Sequence, residues 1–275
     1  MMRTVKRGLF AALLVGIGAV GLINEIGISR YPPAGMFPDG AVRGFFAASP
    51  EEPEEPGKPE EPGEYAGSPG AGASGWRKLD FEIIGLTPHE PLGDTKPANL
   101  IVQVLDHRGT PIGEYYVASA VLHGQGGGHV AVTGFVGWIP HRDAEAVWNR
   151  WATGPPDHKG RWAELPAHER AAWLEVAGLY RGTLTEEPNS EDDVFLDGAN
   201  IDDLTSFFCA MGEAVNGPGG YFGWNLTAFA ECLRGRAPFV LHWSDFDIAR
   251  QALAGEGDMI VDILTTTGVE LRSTA

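Results

Sequence analysis

A carboxylate and a thiol stand side by side at Glu231-Cys232, just downstream of a run of glycines and aromatics, Gly217-Pro218-Gly219-Gly220-Tyr221-Phe222-Gly223-Trp224-Asn225. A thiol needs a base before it acts as a nucleophile. No Cys-His or Ser-His-Asp pattern with a recognisable local context is present, and no Gly-x-Ser-x-Gly. A metal needs ligands at set spacings. Of the 8 histidines, seven (His89, His107, His123, His129, His141, His158 and His168) lie in the middle of the chain, without His-x-x-x-His or His-Glu-x-x-His spacing and with no cysteine beside them. Only a zinc site assembled in three dimensions stays open. The other glycine run, His123 to Gly128, is followed by neither a helix nor a Lys-Ser/Thr pair, so it is read as a hairpin loop rather than a phosphate cradle. Recognition is left: a carboxylate such as Glu231 accepts both arms of an arginine. The chain is read as a non-enzyme with no catalytic residue, metal or cofactor.

The elements that must position Glu231 are legible. Asn225 is an N-cap, because its side-chain oxygen accepts an orphan N–H of the first helical turn. Leu226, Phe229 and Leu233 recur at i, i+3 and i+7, so one face of the helix packs inward and Glu231 lies on another side. Upstream, Leu204, Phe207, Phe208, Met211 and Val215 keep the 3.6-residue period of a second helix laid on a small sheet.

Together these motifs resemble the barstar family, the inhibitors of barnase-type ribonucleases. The family pattern is an aromatic pair, Gly, any residue, Asn-Leu, then a short helix with acid-Cys-Leu. It reads here as Tyr221-Phe222, Gly223, Trp224, Asn225-Leu226 and Glu231-Cys232-Leu233. Val194 to Gly198 resembles the family's first strand, Asp202 to Val215 its first helix, Pro238 to Trp243 its second strand, Asp245 to Leu253 the next helix and Val269 to Ser273 its last strand. The resemblance covers about residues 193–275. It implies an α/β domain with a three-stranded, mainly parallel sheet packed by helices. It also implies a partner-binding surface of Tyr221, Phe222, Trp224, Asn225, Thr227 and Glu231. The chain departs from the pattern: Thr227 stands where the family has an acid, Ala230 where it has an aromatic, and Glu231 is one methylene longer than the family's central acid. A further acid expected on a later helix falls near Thr266.

Charge points the same way. The chain carries a net charge of −17, and residues 191–275 hold 14 Asp or Glu against 4 Arg and no Lys. A compact acidic module suits a basic partner, because complementary fields steer encounter. Acidity that only aids solubility is the plainer reading. The resemblance selects a basic protein, a barnase-like ribonuclease, with no direct contact to nucleic acid.

The remaining chain sets the context. Arg3, Lys6 and Arg7 precede an uncharged run from Gly8 to Ile23, which is read with its flank, residues 1–28, as an apolar helix. It is a signal or a membrane anchor, and an anchor is favoured by the lack of an Ala-x-Ala site close behind it. Such an anchor conflicts with the cytoplasmic location that the resemblance implies, and both stay open. Residues 29–75, with Glu-Glu-Pro units between Glu51 and Glu64, form a disordered linker of like charges. Residues 76–182 read as an α+β domain of unrecognised kind, with strands over Leu79–Leu86, Asn99–Asp106, Ile112–Leu122 and His129–Ile139 and helices over Arg142–Ala152 and His168–Gly178. Trp148, Trp151 and Trp173 join those helices to the sheet. Cys209 and Cys232 are read as free thiols. The leading function is inhibition of a basic ribonuclease by an acidic helix. The alternative is a membrane-tethered structural or regulatory protein that uses a diverged fold for a different partner.

Overall fold

The structure, a computed structural model, describes residues 42–46, 76–84, 97–126, 129–180, 193–236 and 238–274, with the backbone of two further strands. The chain divides into two compact units. The first is Met1–Gly154 with Tyr180–Gly182, and the second is Pro155–Leu179 with Thr183–Ala275.

In the first unit, β1 (Leu9–Leu13) and β2 (Val20–Asn24) pair antiparallel, Leu9 opposite Asn24. This corrects the helix expected over the apolar run. Periodicity does not separate strand from helix in so short a run, and Gly16, Gly18 and Gly21 each disfavour helix by about 1 kcal/mol. The expected linker is corrected in part as well. Within it, β3 (Val42–Arg43) pairs with β4 (Arg77–Ile83), and Phe45 and Phe46 are buried. The Glu-Glu-Pro stretch lies outside the described residues.

β5 (Ala98–Leu105), β6 (Pro111–Gly126) and β7 (His129–Val136) complete an antiparallel sheet in the order β3-β4-β7-β6-β5. Alternate residues of β7 are buried, as expected of a sheet with one covered face. α1 (Ala144–Trp151) lies on it: the Trp148 indole N–H donates to the Tyr115 hydroxyl at 2.9 Å, and its ring fills the space beside Gly113. Tyr115 also meets Phe45 edge-on, with centroids 5.2 Å apart. Trp148 and Trp151 are core residues of this unit, and Tyr180 meets Trp151 edge-on at 5.0 Å.

The second unit begins earlier than the sequence reading placed it. The breaker Gly154-Pro155-Pro156 marks the boundary, not the segment after residue 182. A 3-10 turn (Arg161–Glu164) and α2 (Ala167–Leu179) follow, and α2 packs on α3 (Leu204–Asn216). Trp173, expected on the middle sheet, therefore belongs to the second unit. α2 buries Ala172, Trp173, Leu174, Val176, Ala177 and Leu179. A helix apolar over so much of its surface does not show its destination by periodicity.

The rest of the unit is an α/β domain. β8 (Asp193–Asp197), α3, α4 (Leu226–Gly235), β9 (Val240–Ser244), α5 (Phe246–Ala252), α6 (Gly255–Thr266) and β10 (Glu270–Ser273) follow in chain order. The sheet runs β10-β9-β8 and is parallel throughout, with Val194 opposite Leu241 and Leu271 opposite Leu241 on the other side. Parallel neighbours require long crossovers, and the helices supply them. Val194, Leu196, Leu241 and Trp243 are buried, while Asp193, Phe195 and Asp197 are exposed. On the exposed face His242 is half-buried rather than free: its ring stacks on Phe195 at 4.7 Å and its Nε2 is hydrogen-bonded to Asp193 at 2.6 Å.

Candidate partner-binding site

A chain of aromatic rings carries the position of the sheet to the site. Trp243 of β9 lies 5.6 Å from Phe207 of α3, and Phe207 meets Phe229 of α4 edge-on at 5.4 Å. Phe229 meets Phe222 of the preceding loop at 6.1 Å. Phe207 and Phe229 are fully buried, each burial contributing about 2–3 kcal/mol. α4 is therefore fixed by Phe229 and Leu233 on its inner side.

Its start is fixed by Asn225, whose Oδ1 accepts from the Ala228 N–H at 2.8 Å while its own backbone stays extended. The spacing then turns Thr227 and Glu231 outward, and both are exposed. Among the described residues no lysine or arginine pairs with Glu231. Its charge is felt by two half-buried neighbours. Burial, reinforced by Cys232 and Glu231, pushes the Tyr221 hydroxyl well above the usual phenol range. Burial, then the Glu231 charge, pushes the Cys232 thiol up. Burial likewise raises the Cys209 thiol well above its ordinary value, followed by Glu213 and Asp203. Both cysteines are free, and neither environment favours a reactive thiolate.

The loop before α4 is held by backbone as much as by side chains. Asn216 donates from Nδ2 to the Tyr221 carbonyl at 2.7 Å. Gly212 of α3 and Gly220 of the loop approach so closely that a Cβ on Gly212 would sit 2.2 Å from the Gly220 oxygen. Gly223 has φ +95°, and a Cβ there would lie 2.7 Å from the Phe229 backbone. Any larger residue at Gly223 would push the loop off the helix it introduces.

The six residues expected to bind a partner separate into three groups. Thr227 and Glu231 are exposed on α4. Tyr221, Trp224 and Asn225 are half-buried beside them. Phe222 is corrected: it is 6 % exposed and packs on Phe229, so it shapes the loop from beneath rather than offering a contact. Thr266 is exposed on α6, and its hydroxyl donates to carbonyls of its own helix, Asp262 at 2.8 Å and Ile263 at 3.1 Å.

One residue at the site was missed by sequence reasoning. Glu213, on α3, is 2 % exposed. Its Oε1 accepts from the loop amide of Gly219 at 3.0 Å, and its Oε2 accepts from the Gly160 amide at 2.7 Å and from the Trp162 indole at 3.1 Å. Burial pushes its carboxyl above the ordinary range, and these three N–H groups oppose that push. The signal was present: an acid inside Phe207-Phe208-Cys209-Ala210-Met211-Gly212-Glu213-Ala214-Val215 has no water to face and must find donors. Among the described residues no group of three or more His, Cys, Asp or Glu is placed to hold a metal ion.

A three-stranded parallel sheet, its crossover helices and an exposed acid on the capped helix α4 define an α/β domain. Residues 192–274, the C-terminal region, match the family model described as Barstar (barnase inhibitor), the family that the motifs resemble. The chain has no match among curated proteins.

Proposed function

We propose that the C-terminal domain is a protein-binding module that inhibits a basic ribonuclease by laying α4 across its active site. Glu231 is the central anion. The observation that carries this reading is its position: an exposed carboxylate at the middle of the helix, with no lysine or arginine paired to it among the described residues, within the region that matches the inhibitor family. A ribonuclease site is cationic because it holds phosphates, and a carboxylate there takes the place of a phosphate oxygen on an arginine. Tyr221, Trp224, Asn225 and Thr227 flank it, and the acidity of the domain steers the encounter. On this reading the domain is not an enzyme, takes no cofactor and acts in the cytoplasm, where such a nuclease threatens its maker. Titration of barnase activity with the full chain tests it. Loss of activity at stoichiometric amounts is expected; unchanged activity at micromolar chain contradicts it.

A second reading is favoured by Thr227 and Ala230. The first supplies no charge and the second, half-buried on α4, supplies no ring, so this α4 offers a smaller and less acidic contact than the family pattern. A diverged partner, met by a regulatory protein that reuses the fold for a different contact, fits that difference. Among the described residues no helix is long and apolar enough to cross a membrane. Titration of barnase decides between the readings: undiminished activity at micromolar chain supports a different partner, and stoichiometric inhibition contradicts it.

A further inference from the structure

We infer that Glu213 is the positioning residue of the partner-binding loop, and that residues 155–179 are a brace that the loop needs. The inference rests on the reading of α4 as the contact helix, and it concerns residues that touch no partner.

Glu213 joins three segments far apart in sequence. Its Oε1 holds the Gly219 amide of the loop, at 3.0 Å. Its Oε2 holds the Gly160 amide and the Trp162 indole of the brace, at 2.7 and 3.1 Å. Its own carbonyl accepts from the Gly217 amide at 3.1 Å, which starts the loop. A buried carboxylate is costly unless its lone pairs are filled, and here donors from both sides fill them. The loop and the brace thus share one anion, and removing either leaves the other facing an incompletely bonded charge.

The brace is attached a second time, near the other end of α3. Arg170 of α2 bonds Asp202 at 2.5 Å, just ahead of the Asp203 cap. The same guanidinium lies 5.7 Å from the centre of the Trp162 ring. The Cys209 thiol faces the Arg170 carbonyl at 3.9 Å. Two anchors, one at each end of α3, keep α2 and the 3-10 turn in register with the loop. Downstream, the loop fixes Gly223, Asn225 and hence the outward turn of Glu231. Glu213 sets where the anion stands without meeting the partner.

Substitution by glutamine discriminates between the two sides. Gln has one acceptor oxygen and one amino group in place of two acceptors. The oxygen goes to the side with two donors, Gly160 and Trp162, and the amino group is then left against the Gly219 N–H. Glu213→Gln should free the loop while leaving the brace docked.

The test uses the full chain, with Glu213→Gln and Trp162→Phe beside the unaltered protein, and follows amide hydrogen exchange. In Glu213→Gln the amides of Gly217 and of residues 219–223 should exchange about tenfold faster, the equivalent of one charge-assisted hydrogen bond, while those of β9 change by less than about twofold. Trp162→Phe, which keeps a ring but removes one donor, should accelerate the loop less. Loop exchange equal to that of the unaltered chain, or faster only in step with β9, overturns the inference. The same chains are titrated against barnase. If the unaltered chain inhibits, Glu213→Gln should inhibit about tenfold less well with Glu231 intact, and equal inhibition overturns the positioning role. If the unaltered chain does not inhibit, the ribonuclease reading falls, and loop exchange still decides the inference.

Discussion

The indole nitrogen of Trp162 and the carboxylate of Glu213 are 3.1 Å apart, both residues are buried, and 51 positions of sequence separate them. Their bond makes a segment outside the family-matched region part of the domain's core. The domain that presents α4 is therefore residues 155–179 together with the chain from β8 onward.

A fragment that begins at Thr183 retains the whole matched region but loses this segment. Trp162, Trp173, Val176 and Leu179 are all buried in the second unit, and apolar side chains of this size contribute about 1.5–3 kcal/mol each. Residues 155–275 should thus outlast residues 183–275 in urea by about 3 kcal/mol or more. Coincident urea midpoints would show that the segment is an ornament.

Gly223, just before α4, and Gly235, at its end, should respond unequally to alanine. At Gly223 the backbone has positive φ and the new Cβ would meet the Phe229 backbone, which cannot yield. Gly223→Ala should cost about 2 kcal/mol or more. At Gly235 nothing lies within 4 Å of the added atom, so Gly235→Ala should stay within about 0.5 kcal/mol. Thermal unfolding of the two variants checks both. Equal losses would remove the geometric account of the loop.

The pH dependence has two parts of opposite sign. Burial raises the Glu213 carboxyl above its ordinary value of 4.5, so the folded chain binds this proton more readily than the unfolded chain does. Its contribution is complete below 4.5 and is lost as pH rises through the raised value. The urea midpoint of the unaltered chain should therefore gain on that of Glu213→Gln as pH falls from neutrality to that point. At Asp202 burial pushes upward, but the bonds from Arg170 and Ser206 outweigh it and hold the carboxyl below its ordinary value of 3.8. That contribution is present above 3.8 and disappears as pH falls through the lowered value. The advantage over Asp202→Asn should shrink only on the acid side. A Glu213→Gln difference that grows with rising pH would reverse the first assignment.

How far the sequence disclosed this arrangement depended on whether the signal was local. Asn225, with Phe229 and Leu233 behind it, announced both the cap and the inner face of α4, and the outward turn of Glu231 followed from helix geometry. The strands of the parallel sheet were legible from short β-branched and aromatic runs such as Val240-Leu241-His242-Trp243. Phe222 was misplaced because aromatic residues in a glycine-rich loop look exposed, and only the ring of Phe229 shows where Phe222 points. Residues 155–179 were assigned to the wrong unit because α2 is apolar over much of its surface and carries no mark of its destination. Glu213 was legible as an anomaly, a charge in an apolar helix. Its donors at Gly160 and Trp162 could not be found by spacing, since the fold alone brings them near. The apolar run near the N-terminus shows the same limit: its composition satisfies strand and helix alike.

The central claim is that Glu231 enters a cationic active site as the anion of an inhibitory helix. Titration of barnase with the full chain and with Glu231→Ala tests it most directly. The account predicts stoichiometric inhibition by the unaltered chain, and inhibition weakened by about tenfold or more in Glu231→Ala at an unchanged unfolding midpoint, because a desolvated arginine is left without its partner. Equal titration curves for the two chains, whether both inhibit or neither does, would contradict it.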